Sequence, residues 1–268
     1  MRNFFIIIFF NSFIGFTQQD SLKCMNLYDD KQYEESYECF QSSPNSPLDY
    51  YMCAMLSRHL EKIDEFQEWN EASLKRFKNE PLSYYYVSYL LGDSTNESLK
   101  VIERGAKKFP EDSLMLTSLI NVYIVRDEKK KALEIANTLT ELKPNVLIYE
   151  VTRGTILQNL NRQAEAVISF TKCLKLDNQN YTANYGLGSI YYNWAADKFA
   201  LSNEEEDPEV YKKLEAEAQK MMEKALPFLE KTYLSDNKDT TTIKALKTCY
   251  MKLGMMDQYR ALMDDQAK

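Results

Sequence analysis

The residues able to carry chemistry are few and scattered. The chain has one histidine, His59, and five cysteines, Cys24, Cys39, Cys53, Cys173 and Cys249, in 268 residues. A metal site with nitrogen or sulfur ligands needs these residue types grouped at close spacing, and no Cys or His pair has ligand spacing. A Ser-His-Asp or Cys-His nucleophile would have to use His59, and no nucleophile elbow accompanies it. The stretch "GLGSI", starting at Gly186, has too few glycines in the wrong order for a phosphate loop. Carboxylates are abundant but fall at expected exposed helix positions, beside lysines that can pair with them. The chain is therefore expected to be no enzyme, with no catalytic, cofactor-binding or metal-binding residues. Its net charge of −7, without any block of five or six basic residues, excludes the basic face a nucleic acid partner requires.

The N-terminus reads separately. Met1 and Arg2 precede "NFFIIIFFNSFIGF", an apolar run broken by Asn11 and Ser12. A charged start and a short apolar run are the pattern of a secretory signal peptide, expected over residues 1–17 with cleavage near Thr17 or Gln18. The run is short for a membrane span, although an N-terminal anchor is the alternative. The mature chain is expected to be exported, periplasmic or secreted, with no membrane span. In that setting a disulfide among Cys24, Cys39 and Cys53 is one expectation, and three buried free thiols is the other. Cys173 and Cys249 are expected buried and free.

The elements that would position any site repeat at a fixed period. Pro110 and Pro144 are 34 residues apart, and Asn178 lies 34 further on. On this frame small residues recur at Ser98, Ala132, Ala166 and, after an insertion, Ala225. A second series runs Gly105, Leu139, Cys173 and Thr232, and a third contains Gly154 and Gly188. Such a period with small residues at fixed offsets predicts stacked pairs of antiparallel helices.

Leu187, Gly188 and Tyr191 match a Leu-Gly-x-x-Tyr motif, Ala166 and Phe170 an Ala-aromatic pair, and Pro110 and Pro144 a terminal proline. In these the chain resembles the tetratricopeptide repeat (TPR) family, with Asn184 where the family has tryptophan. The extended sixth unit, followed by "LKTCYMKLGMMDQY", is similar to TPR proteins exported by bacteria of the Bacteroidetes type. The resemblance implies an all-α fold, an α-solenoid coiled as a right-handed superhelix of about six to seven helical hairpins. These are expected at about 20–43, 47–79, 80–112, 113–146, 147–180, 181–239 (extended) and 240–268 (terminal cap), forming a single domain over 18–268. Gly154 and Gly188 are expected at helix crossings opposite Ala166 and Ala225. Ser94 with Glu97, and Ser113, Asp127, Asn145 and Asn161, are expected as helix caps, and Asp207-Pro208 as a helix start. Pro227 is expected to kink its helix.

The resemblance also implies a function: a non-catalytic scaffold binding a protein or peptide in a concave groove lined by the first helix of each hairpin. On the repeat register the groove residues are Tyr84, Val87, Thr117, Asn121, Val151, Thr155, Gln158, Tyr185, Ser189 and Tyr192. The family's carboxylate clamp uses lysine and asparagine on these helices; Asn121 fits one position, and the lysines are missing. The alternative is a carbohydrate-binding accessory protein, which requires aromatics such as Tyr192 and Trp194 together on one open surface.

Overall fold

The computed structural model describes residues 18–266, with side chains from Ser21 onward; the signal peptide expected at 1–17 lies outside the described residues. The described chain is all-α, with fourteen helices and no strand. It divides into two compact units that part between Arg126 and Asp127.

Unit 1 holds α1 (Gln18–Asp29), α2 (Tyr33–Ser42), α3 (Pro47–His59), α4 (Ile63–Arg76), α5 (Pro81–Leu91), α6 (Asn96–Lys108) and α7 (Ser113–Val125). Consecutive helices pack as hairpins, α1 on α2, α3 on α4 and α5 on α6, while α3 also meets α5 and α5 meets α7. First helices thus lie side by side, the arrangement that buries one stripe of each helix between its neighbours. The hairpin core gathers Cys24, Tyr37, Phe40, Tyr51, Met52, Cys53, Leu56 and Leu90. A disulfide joins Cys24 on α1 to Cys39 on α2, with their Cα atoms 5.4 Å apart, and Cys53, Cys173 and Cys249 are buried free thiols. Burial, the largest cause in each case, pushes the Cys53 and Cys249 thiols up to about 12 and that of Cys173 to about 11. Alkylation of the native, unreduced protein at neutral pH should therefore label none of the five, denaturation without reductant should expose three, and denaturation with reductant all five. Mass spectrometry reads this directly; five labels without reductant would overturn the pairing. Because the bridged positions are 15 residues apart, the Cys24→Ser/Cys39→Ser double variant should lose about 3 kcal/mol of stability, mainly through the freed unfolded chain.

Unit 2 holds α8 (Lys129–Leu142), α9 (Leu147–Asn159), α10 (Gln163–Leu176), α11 (Tyr181–Asn203), α12 (Pro208–Ser235), α13 (Thr240–Lys252) and α14 (Met256–Gln266). Here α9 pairs with α10, α11 with α12 and α13 with α14, and α9 also touches α11. The α11–α12 hairpin is long, with helices of 23 and 28 residues. It restarts at Asp207, whose carboxylate accepts from the N–H groups of Glu209 and Val210 with Pro208 at the first helical position, as the sequence predicts. The α12 helix is unbroken through Pro227. Its inner face joins Ala218, Met222, Ala225 and Leu229 to Phe199 on α11, Leu246 and Cys249 on α13 and Leu262 on α14.

The crossings at Gly154 and Gly188 are filled by large side chains. A Cβ on Gly154 would lie 2.6 Å from the Phe170 ring, and one on Gly186 2.4 Å from the opposite edge of the same ring. Phe170 is fully buried, clasped between a glycine of α9 and a glycine of α11. A Cβ on Gly188 would lie 2.8 Å from the Leu229 side chain. The atoms nearest these glycines belong to the large residues four positions after Ala166 and Ala225. Along a helix, side chains four apart share a face, so Phe170 and Leu229 lie on the same stripes as Ala166 and Ala225.

The caps shift similarly. Thr95, not Ser94, caps α6 by accepting from the Ser98 N–H, and Asp112, not Ser113, caps α7. Asp127 and Asn161 take positive φ values of 59° and 57° in tight turns before α8 and α10. Short polar side chains tolerate that left-handed conformation, so these residues serve the turn rather than the helix start. Asn145 also caps nothing; α9 begins after Val146 without a side-chain cap.

Candidate functional site

In unit 1 the first helices α1, α3 and α5 carry a continuous group of tyrosines. The α5 segment "PLSYYYVSYLL" has two stripes. Tyr84, Val87 and Ser88 point into the core. Tyr84 packs against Gly105, lies 5.4 Å beneath the Arg104 guanidinium, and donates its hydroxyl to the Lys78 carbonyl at 3.1 Å. Tyr84 and Val87, expected on the open face, are therefore core residues. The outward stripe is Tyr85, Tyr86 and Tyr89. Tyr51 of α3 meets the Tyr86 ring at 4.7 Å and the Tyr89 ring at 6.5 Å, while Tyr85 contacts Tyr86 at 5.5 Å and Tyr89 at 6.3 Å. Tyr28 of α1 is close enough to act electrostatically on Tyr51. Burial first, then the neighbouring tyrosines, raise the Tyr51 hydroxyl to about 12. Burial likewise raises Tyr85, aided by Tyr89 and Asp93, and Tyr86, aided by Tyr85. These hydroxyls stay protonated and able to donate throughout the physiological range. The register argument selected Tyr84 and missed this group. The usable signal was the spacing of Tyr85, Tyr86 and Tyr89 at three and four residues, one helix face.

On α7, Thr117 is half-buried and Asn121 is exposed, four residues apart on one face.

In unit 2 a second face forms on α9 and α11. Tyr181, Tyr185, Ser189 and Tyr192 follow one stripe of α11. Tyr181 and Tyr185 stack at 6.1 Å with their planes 16° apart. The Gln158 side-chain amide on α9 donates to the Ser189 hydroxyl at 3.1 Å, which itself donates to the Gly186 carbonyl. Thr155 turns its hydroxyl back onto the Val151 carbonyl, and Val151 is buried rather than open. Tyr185, Ser189, Gln158 and Thr155 are half-buried, and Tyr192, also half-buried, packs against the core that α11, α12, α13 and α14 share. Trp194 packs edge-on against Tyr191 at 5.5 Å, and Tyr191 stacks on Phe228. Tyr192 and Trp194 thus diverge around the helix and do not form the paired aromatic surface expected of them.

A charged cluster underlies α9. Glu150 is buried, 3.3 Å from the Lys172 ammonium on α10 and 3.8 Å from the Arg153 guanidinium. Arg153 donates to Asn137 on α8 and to Ser169 on α10, both at 2.7 Å, tying three helices together. His59 ends α3 exposed, with its ring edge-on to Tyr33 at 4.4 Å. Among the described residues no group of three or more His, Cys, Asp or Glu is placed to hold a metal ion, and no helix is long and apolar enough to cross a membrane.

The stacked helical hairpins make this a tetratricopeptide-like fold. Among solved structures the chain is similar to YrrB, described as a TPR protein with an unusual peptide-binding site, with a TM-score of 0.52 and 17% identity over 78% of this chain and 96% of that one. It is also similar to MamA from Desulfovibrio magneticus, with a TM-score of 0.47 and 17% identity over 60% of this chain and 94% of that one. A stretch of 97 residues, 35% of the chain, is 31% identical to a UDP-N-acetylglucosamine–peptide N-acetylglucosaminyltransferase of Giardia intestinalis. The chain spans 7% of the length of that curated relative. No protein-family model matches the sequence.

Proposed function

We propose that the protein is a non-catalytic, exported scaffold that holds segments of partner proteins on the first-helix faces of its hairpins. The observation that carries this reading is the character of those faces. In both units the first helices present uncharged tyrosine, glutamine, serine and threonine side chains on mutually packed helices. Tyrosine and side-chain amides supply contact area and hydrogen bonds at low entropic cost, the composition of surfaces that recognise chains rather than transform them. The peptide-binding site named for YrrB, on the same fold, supports a peptide as the partner's contacting element. Export is supported by the apolar leader pattern and by a disulfide on the first hairpin, since such bonds persist in oxidising compartments.

The test is in-cell crosslinking and capture of the tagged protein beside a variant carrying Asn121→Ala, Gln158→Ala and Tyr185→Ala, once both show equal helical content and melting temperature. A specific protein recovered by wild type and reduced about tenfold or more in the variant supports the reading, as expected when central contacts are truncated. Equal recovery removes these faces as the binding surface. Recovery of no protein, with retention on immobilised glycans instead, sinks the protein-scaffold reading.

A further inference from the structure

The Cys24–Cys39 disulfide fastens a helix that has few other attachments. From Ser21 onward α1 buries one residue, Cys24; Met25, Leu27 and Tyr28 are half-buried, and Leu22 is turned to water. Among the described residues its extensive packing is on α2 alone. Two hydrogen bonds support it: the Ser36 hydroxyl donates to the Cys24 carbonyl at 2.9 Å, and the Ser21 hydroxyl donates to the Asp49 carboxylate at 2.8 Å. The turn into α2 holds Lys31 at a φ of 62°, a left-handed conformation that costs a residue with a long side chain. An isolated helix of α1's length, 12 residues, is marginal in water, so α1 depends on docking to stay helical. Its neighbour is held differently. On α2, Tyr37 bonds to Glu65 and receives the Trp69 ring N–H, both from α4, and Glu34 pairs with Lys62 at 2.8 Å. The disulfide itself is open to reagents, since Cys39 is half-buried and both cysteines line a surface pocket with Ser21, Lys23, Ser43 and Asn45.

We propose that this disulfide is a redox-sensitive latch: a dithiol that reduces it releases α1 while α3 to α6 stay folded. A thiolate of the dithiol attacks Sγ of Cys39, the more accessible sulfur. The S–S bond breaks, and its electron pair leaves with Cys24, which takes up a proton. The second thiolate of the donor then attacks the mixed disulfide and frees Cys39 as a thiol. Two electrons and two protons have passed to the protein, and the donor ends as a disulfide. The bridge closes a separation of 15 residues, so it restricts the undocked chain, and its loss multiplies the undocked population about a hundredfold. Cys24, Met25 and Tyr28 are what α1 gives to the core around Tyr37, Phe40 and Tyr51, and that part of the core is uncovered when α1 leaves. On the scaffold reading above, on which this consequence rests, the latch sets whether the first-helix face of unit 1 begins at α1 or at α3.

The test is hydrogen exchange of the full mature chain under native conditions, read by mass spectrometry with and without dithiothreitol. Reduction should speed exchange of the α1 amides about a hundredfold and change those of α3 to α6 by less than about threefold. Alkylation of the native, dithiol-treated protein should place two labels, on Cys24 and Cys39. The Cys24→Ser/Cys39→Ser variant should show the reduced pattern without reductant, and re-oxidation of reduced wild type with oxidised glutathione should restore protection of α1. Unchanged exchange in α1, equal acceleration from α1 to α6, or a native disulfide that dithiothreitol leaves intact would each overturn the proposal. None of these outcomes would touch the scaffold reading, which depends on capture by the oxidised protein and its loss in the Asn121, Gln158 and Tyr185 variant.

Discussion

Phe170→Ala should lower the stability of unit 2 by about 3–5 kcal/mol, the range for deleting a buried aromatic ring. The ring is fully buried and sits between Gly154 on one side and Gly186 on the other. Neither wall has a side chain that can rearrange into the void, so the cavity persists and its cost adds to the lost transfer energy. The reciprocal change tests the same geometry. Gly186→Ala gains about 1 kcal/mol of helix propensity. It also places a Cβ 2.4 Å from a ring whose retreat is blocked by Gly154. Overpacking of that kind costs about 1–3 kcal/mol, so a net loss is expected. Adding Phe170→Leu to Gly186→Ala should return part of the loss by making room. Urea titrations followed by circular dichroism measure all of these. A stabilised Gly186→Ala, or a Phe170→Ala variant within about 1 kcal/mol of wild type, would show that the ring is not clasped as described.

The second large effect is at Arg153. Its replacement by alanine should cost about 3–5 kcal/mol, because it leaves a buried carboxylate short of a partner. Glu150 has a side chain only 1% exposed, and one of its oxygens, Oε2, accepts no hydrogen bond. The guanidinium 3.8 Å away is what neutralises that oxygen, while Lys172, 55% exposed, reaches the other. Alanine also removes the bonds to Asn137 and Ser169 that fix α8 and α10 to α9. Lysine should fail to substitute, since a single ammonium cannot span the forked arrangement. Replacing Glu150 and Arg153 together by methionine should recover most of the loss, because the uncompensated charge goes with its partner. A double-mutant cycle measures the coupling. Additive losses in that cycle would mean that Glu150 and Arg153 act independently and that the cluster is only a set of hydrogen bonds.

Each result bears on the same design. First helices of neighbouring hairpins must come close enough to share a face; in unit 2 a ring between two glycines sets the spacing of α9 and α11, and a forked arginine fixes α9 to α8 and α10. The candidate binding residues Gln158, Tyr185 and Ser189 lie on the helices so spaced. Loss of either device should therefore disturb the outward face as well as the core.

Periodicity alone determined much of this protein. Two-helix units, small residues at their crossings, a lengthened hairpin after residue 180 and the restart at Asp207-Pro208 were all legible, because each follows from spacing along one chain. The register predicted that glycines would sit at crossings, but not what would fill them. Gly186 had no partner within its own hairpin's pattern; its reason is Phe170, brought from the preceding hairpin. The same limit governed the candidate site. Tyr84 and Tyr85 are adjacent and alike in sequence, and only the packing of α3, α6 and α7 around α5 decides that one is core and the other surface. Asp127 and Asn161 look like helix caps until the backbone takes its left-handed turn at each. A repeat encodes which stripe of a helix is buried because that is a property of one helix. Which turn meets which neighbour depends on side chains distant in sequence, and only the tertiary structure brings them together.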